Sequence, residues 1–187
     1  MPGICSIPAA RLARSRHRGF TLIEAALTTV IVGLAILSMM ELFESCTRQN
    51  KNGAQMTTAM LLANHIQEAM AGLPFNDPFS SSSHFGPETG ETLTTFNDVD
   101  DFDGSTFNPP IDAMRQSIPA QAQYTQVVSV VPVLVNQLSS NTNEAAPTIA
   151  KGTYTGAVRA RVRILYRQKP TDIVQEVYRV SWIRTDH

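Results

Sequence analysis

The sequence predicts an α+β protein in which one long N-terminal helix packs its second half on a small antiparallel sheet of three to four strands. Three observations predict it. No proline occurs between residues 20 and 73, two windows near the C-terminus alternate apolar and polar residues with period two, and a turn-rich stretch separates the two regions. At 187 residues and 43% hydrophobic content, the chain has room for one ordinary domain with an appendage. That excludes a transporter with many spans.

Basic residues lead. Arg11, Arg14, Arg16 and Arg18 crowd the first eighteen residues with no acid among them, which marks residues 1–19 as a leader. Residues 20–40 then hold a single ionisable side chain, Glu24, over about the length a helix needs to cross roughly 30 Å of hydrocarbon. This apolar run is longer than a signal-peptide core, and no A-x-A-like site follows it. Residues 20–41 are therefore expected to span a membrane. Lys and Arg stay on the cytoplasmic side, so the expected location is an inner membrane, with the N-terminus inside and everything past residue 41 in the periplasm. Cys5 and Cys46 would lie on opposite sides, which leaves no intrachain disulfide. The basic cluster is confined to the leader, so nucleic acid is not an expected partner.

The lack of proline predicts one continuous helix of about 50 residues, with Gly33 and Gly53 as its weak points. In residues 42–73, Ala59, Leu62, Ile66, Ala69 and Leu73 recur at spacings of three and four, so this half is amphipathic and packs on something soluble. Gly72 and Pro74 supply the stop.

Residues 74–123 form an acidic loop region. It begins "PFNDPFSSSSHFGPETG", contains the pair Pro109-Pro110, and is expected to be irregular apart from a short strand near residues 92–96. Asp77, Glu88, Glu91, Asp98, Asp100, Asp101, Asp103 and Asp112 fall between residues 76 and 112 with no Lys or Arg. Asp98, Asp100, Asp101 and Asp103 offer hard oxygens suited to calcium, although D-x-D-D-x-D-G does not match an EF-hand. The competing expectation is a turn of solvated aspartates capping its own backbone. A third is pairing with Arg159, Arg161 and Arg163.

Residues 124–187 read as sheet. "YTQVVSVVPVLV" is rich in β-branched residues, with Pro132 arguing for an edge or a bulge. "GAVRARVRILYRQ" puts Val158, Ala160, Val162, Ile164 and Tyr166 on a buried face and Arg159, Arg161, Arg163 and Arg167 on a solvated one. After "QKPTD", Val174, Glu176, Tyr178, Val180 and Trp182 alternate with Gln175, Val177, Arg179 and Ser181, which makes an antiparallel hairpin in which Glu176 can face the arginine row.

Glu24 needs its own explanation. At the centre of a bilayer an acid costs about 2.5–3.5 kcal/mol. Near the cytoplasmic end, in the first turn of a helix, the macrodipole instead favours it by about 0.3–1 kcal/mol. The surrounding constellation suggests more, because "RGFTLIEAALTTVIVGLAIL" resembles the cleavage and methylation signal of type IV pilins and type II secretion pseudopilins. That resemblance implies cleavage by a prepilin peptidase after Gly19 and N-methylation of Phe20. It also implies that Glu24 pairs with the Phe20 ammonium of a neighbouring subunit during assembly. Cleavage would take the formal charge from -1 to -5. Many type IV pilins have a proline about twenty residues into the mature chain, where this sequence has Glu41. A second stretch, "FNDVDDFDG", resembles minor pilins of the mannose-sensitive haemagglutinin pilus. The implied partners are other pilin or pseudopilin subunits, the prepilin peptidase, an inner-membrane assembly platform and membrane lipid.

No G-x-S-x-G, H-E-x-x-H, C-x-x-C or phosphate-loop pattern occurs, and His17, His65, His84 and His187 are scattered, so an enzyme is not expected. No cofactor is expected beyond calcium at the aspartates. The sequence thus supports a minor pilin or pseudopilin serving a pilus or a secretion filament. The alternative is a membrane-anchored periplasmic module that uses the acidic loop to bind calcium or a partner protein without polymerising.

Overall fold

The computed structural model describes residues 19–75, 85–138, 149–151 and 153–186. The arginine-bearing leader with His17, Asp77, the Ser80–Ser83 tract, His84, the polar connection 139–148 and His187 lie outside the described residues. The fold is α+β: helix α1 (Leu22–Ala71, 50 residues) is followed by a four-stranded antiparallel sheet. The sheet comprises β1 (Thr106–Phe107), β2 (Tyr124–Pro132), β3 (Ala157–Tyr166) and β4 (Gln175–Thr185), ordered β1-β2-β3-β4.

Local chemistry sets both ends of α1. The Glu24 N–H donates to the Thr21 carbonyl at 3.0 Å and to its Oγ1 at 3.3 Å, so Thr21 acts as the N-cap. Gly33 and Gly53 are accommodated within the helix. At the other end the last turn contains no basic residue. Arg184 of β4 supplies the charge, donating to the carbonyls of Ala71 at 2.9 Å and Leu73 at 2.7 Å, groups that a helix terminus otherwise leaves unpaired.

The chain divides into two compact units between Arg48 and Gln49. In the first, every described side chain is exposed. In the second, Ala59, Leu62, Ala63, Ile66, Ala69 and Met70 of α1 are buried in one core with Val128, Val130, Val158, Ala160, Val162 and Ile164 of the sheet and Phe96, Val99, Phe102 and Ile111 of the loop region. The expected amphipathic stripe is present, with Leu73 half-buried at its margin.

Two expectations are corrected, and the edge expected at Pro132 holds locally. Residues 92–96 form no strand, because Thr92 and Thr95 satisfy one another: the Thr92 N–H donates to Thr95 Oγ1 at 2.8 Å, and the Thr95 N–H to the Thr92 carbonyl at 2.8 Å. Hydroxyls that bond the local backbone compete with sheet pairing, and the short strand forms at Thr106–Phe107 instead. Pro132 lies on an inner strand, but β1 reaches only Gln126 and Val127. At Pro132 only β3 is a neighbour, so the missing N–H disturbs nothing on the β1 side. The arginine face of β3 is not freely solvated: Arg161 and Arg163 are half-buried and Arg159 is buried, its guanidinium donating to the Leu138 carbonyl.

The β3–β4 pairing also explains Glu176. Ile164 faces Tyr178 while Leu165 faces Glu176, so Val177 is an extra residue in a β-bulge. The bulge shifts Glu176 from the Tyr178 face to the arginine face. There it lies 2.8 Å from Arg179 and 4.0 Å from Arg163.

Gln126 of β2 joins three parts of the second unit. Fully buried, it donates through Nε2 to the Leu62 carbonyl of α1 at 2.9 Å and to the Ile111 carbonyl at 2.9 Å, and its Oε1 accepts the Ile111 N–H at 2.8 Å. Gln126→Leu would strand the Ile111 amide in an apolar core, and buried unsatisfied groups cost about 1–3 kcal/mol each. A loss of about 2–4 kcal/mol is expected from urea unfolding of the purified chain. A change below about 0.5 kcal/mol would show that Gln126 is not the link described.

Candidate functional site

Two regions of the described residues carry chemistry beyond packing, one in each unit. The first is the start of α1. Gly19 precedes the helix with open space where a side chain would stand, and Phe20 is 66% exposed. Glu24 occupies the first turn, is exposed, and its carboxylate has no partner among the described residues. The spacing Thr21-x-x-Glu24 is that of a capping box, of which the threonine half is formed.

Beyond Glu24 the helix exposes Leu27, Val30, Ile31, Leu34, Leu37, Met40 and Phe43 among others, each more than half exposed. Its hydroxyls are internally satisfied: those of Thr28, Thr29 and Ser38 donate to the carbonyls of Glu24, Ala25 and Leu34 one turn earlier. Such pairing suits a helix in hydrocarbon, where no water completes a hydroxyl's bonds. The helix is long and apolar enough to cross a membrane.

The second region is the acidic loop. The four aspartates named from sequence do not form one ligand group, although the Asp98 and Asp100 side chains meet. Asp98 Oδ1 accepts the N–H groups of Asp100 (3.1 Å) and Asp101 (3.2 Å) and caps the short 3-10 helix Asp100–Phe102. Asp100 Oδ2 accepts the Gly86 N–H at 2.8 Å. Asp101 Oδ2 accepts the N–H groups of Asn97 (2.7 Å) and Asp98 (3.2 Å). Asp103 Oδ1 accepts the Val130 N–H at 2.9 Å, and its other oxygen pairs with Lys151. The aspartates do cap their own backbone, but they are not solvated: Asp98, Asp100 and Asp101 are buried.

Asp101 meets two acids that the sequence did not single out as ligands. Oxygens of Glu88, Glu91 and Asp101 lie within 4.8 Å of one another. Glu91 Oε2 accepts the Glu88 N–H at 3.0 Å, and Oε1 accepts from Asn97 Nδ2 at 2.9 Å. Arg115 braces this loop. Its backbone adopts a positive φ of 63°, a strained conformation for a non-glycine residue. The guanidinium donates to the carbonyls of Leu93 (3.1 Å) and Phe96 (2.8 Å) and sits 5.5 Å from the Phe102 ring centre.

Crowding shifts the acids. Desolvation, followed by repulsion from Asp100 and Asp101, raises Asp98 to about 8. Desolvation and the contact with Glu91 raise Glu88 to about 7. Burial likewise raises Asp100 and Asp101. At Glu91 desolvation is outweighed by hydrogen bonds from the Glu88 N–H and its neighbours, and the carboxyl falls below its usual range.

Compared with known proteins, the chain matches no family model, no curated sequence and no solved structure. Gln126, Arg115, Arg184 and the Glu88 and Glu91 carboxylates were not legible as site residues, because each acts through contacts distant in sequence or through loop geometry. Thr21 was missed as well, although Thr-x-x-Glu before an apolar run is a capping signal that could have found it.

The raised acids fix the sign of a pH effect. A carboxyl whose folded pKa exceeds its unfolded value binds more protons when folded, so stability falls as pH rises between the two values. With divalent cations removed by chelator, the second unit is expected to melt a few degrees higher at pH 5.5 than at pH 8.5. Circular dichroism in detergent would check this. A melting temperature that instead climbs steadily over that range would contradict the burial of Asp98 and the crowding of Glu88 against Glu91.

Proposed function

We propose that the chain is a minor pilin or pseudopilin, a structural subunit of a type IV pilus or type II secretion filament. It would be inserted in the inner membrane with residues 1–19 cytoplasmic and the second unit in the periplasm. One observation carries the reading: the first half of α1 is apolar on all sides, and an exposed carboxylate without a partner among the described residues, Glu24, stands in its first turn. Hydrocarbon or neighbouring helices must cover such a surface. Within that cover an acid needs a cation.

The resemblance of residues 18–40 to the prepilin signal supplies the cation as the amino group of Phe20 on a neighbouring subunit, freed by cleavage after Gly19. The absence of a side chain at Gly19 lets a peptidase approach the scissile backbone. Pairing would set the axial register, because a mismatched subunit leaves one charge desolvated and alone. Breaking a buried pair costs about 3–5 kcal/mol. The reading assigns structural and assembly roles and no catalysis.

Mass spectrometry of the chain isolated from producing cells is expected to find an N-terminal methylated Phe20. An intact Met1 terminus in membranes would support the non-polymerising, membrane-anchored module instead. Glu24→Ala should insert normally, while its co-purification with companion subunits falls by about two orders of magnitude. Wild-type incorporation of that variant would contradict the pairing.

A further inference from the structure

The carboxylates of Glu88, Glu91 and Asp101 form no ion pair with Lys or Arg among the described residues. The nearby cations are engaged elsewhere: Arg115 on the Leu93 and Phe96 carbonyls and Lys151 on Asp103. Their oxygens lie within 4.8 Å of one another. Two oxygens bound to one Ca²⁺ at about 2.3–2.6 Å are at most about 5 Å apart, so the spacing is that of a coordination sphere.

A second, independent observation concerns the donors left over. Asp101 is 1% exposed, and its Oδ1 has no partner, although Oδ2 is held by two backbone amides. Its carboxylate is thus fixed in orientation, and the side chain it meets, Glu91, is another acid that supplies no donor when both are ionised. Glu88 Oε2 and Asn97 Oδ1 are likewise enclosed without partners, and Asn97 is already tied to Glu91 through Nδ2. Unmade bonds of this kind cost about 1–3 kcal/mol each, more for charged groups, and three of the four such side-chain atoms among the described residues belong to this cluster, the fourth being His65 Nδ1 on α1.

We propose that Glu88, Glu91 and Asp101, with the side-chain oxygen of Asn97, form a binding site for a divalent cation of the Ca²⁺ class. The donors are hard oxygens from an irregular loop, a set that suits the variable coordination of Ca²⁺ better than the strict octahedron of Mg²⁺. The ion would tie the 86–91 segment to the turn 97–101, which itself lies on the core through Val99 and Phe102. The inference rests on the loop alone and is independent of whether the chain enters a filament. The competing occupant is a proton shared between Glu88 and Glu91.

The full chain in detergent micelles, stripped with chelator and dialysed, would be titrated with CaCl₂ at pH 7.5 by calorimetry and followed by thermal melting. One ion per chain is expected, with a dissociation constant of about 10⁻⁴–10⁻³ M, the range of extracytoplasmic sites. The melting temperature should rise with Ca²⁺ concentration, and the response to MgCl₂ should be weaker. D101N should abolish both responses. E88Q, which removes charge from a less buried position, should weaken binding at least about tenfold, and D98N, whose carboxylate caps backbone, should keep wild-type affinity. Should D101N fail to fold, E88Q carries the test. No heat and no stabilisation at about 10 mM Ca²⁺ would leave the proton as the occupant, and equal binding by wild type and E88Q would put the ion at other ligands; either result overturns the site.

Discussion

A single helix here has to satisfy two different surroundings, and that constraint organises the protein. Up to about residue 43 its apolar side chains face outward on every side, over a length and with an apolar content sufficient to cross a membrane. From Ala59 onward, Ala59, Leu62, Ala63, Ile66, Ala69 and Met70 form one buried stripe, as a helix lying on a sheet requires, while Met60 and Leu61 stay exposed beside Asn64, Gln67 and Glu68. The two halves share backbone hydrogen bonding but not the source of their stability. Internal hydroxyl-to-carbonyl bonds support the first, and burial against β2 and β3 supports the second.

The second unit meets a different demand. A stretch of some fifty residues lies between α1 and β2, far longer than ordinary connections, and its backbone groups need partners. Side chains supply them. Asp98 and Asp101 cap the turn around residues 97–101, Arg115 collects two carbonyls, Asn108 Nδ2 donates to the carbonyls of Ala122 and Tyr124, and Gln126 reaches from the sheet to the helix. The acidity of the loop is thus largely structural: most of its carboxylates accept backbone N–H groups. Glu88 and the free oxygen of Asp101 are what this accounting leaves over.

Elements governed by local pattern were legible in the sequence. The helix spans almost the proline-free run, and Val158, Ala160, Val162 and Ile164 line the buried face as alternation requires. Elements decided by tertiary pairing were not. The bulge at Val177 reverses the facing of Glu176, and no period-two count reveals an extra residue. β1 is two residues long and exists only because β2 offers an edge. The arginine row reads as solvated by residue type, yet Arg159 is buried with its guanidinium on the Leu138 carbonyl. At the candidate site, acid density was visible, but which acids converge depends on the turns that bring residues 88 and 91 beside 101.

The central claim is that the first half of α1 resides in hydrocarbon while the second unit stands outside the cytoplasm. Alkaline carbonate extraction of membranes from producing cells, combined with protease added to cells with a permeabilised outer envelope, tests it most directly. The chain is expected to stay in the pellet at high pH and to lose the part beyond residue 48 to the external protease. A chain released by carbonate, or one whose second unit survives until the inner membrane is breached, would contradict the account.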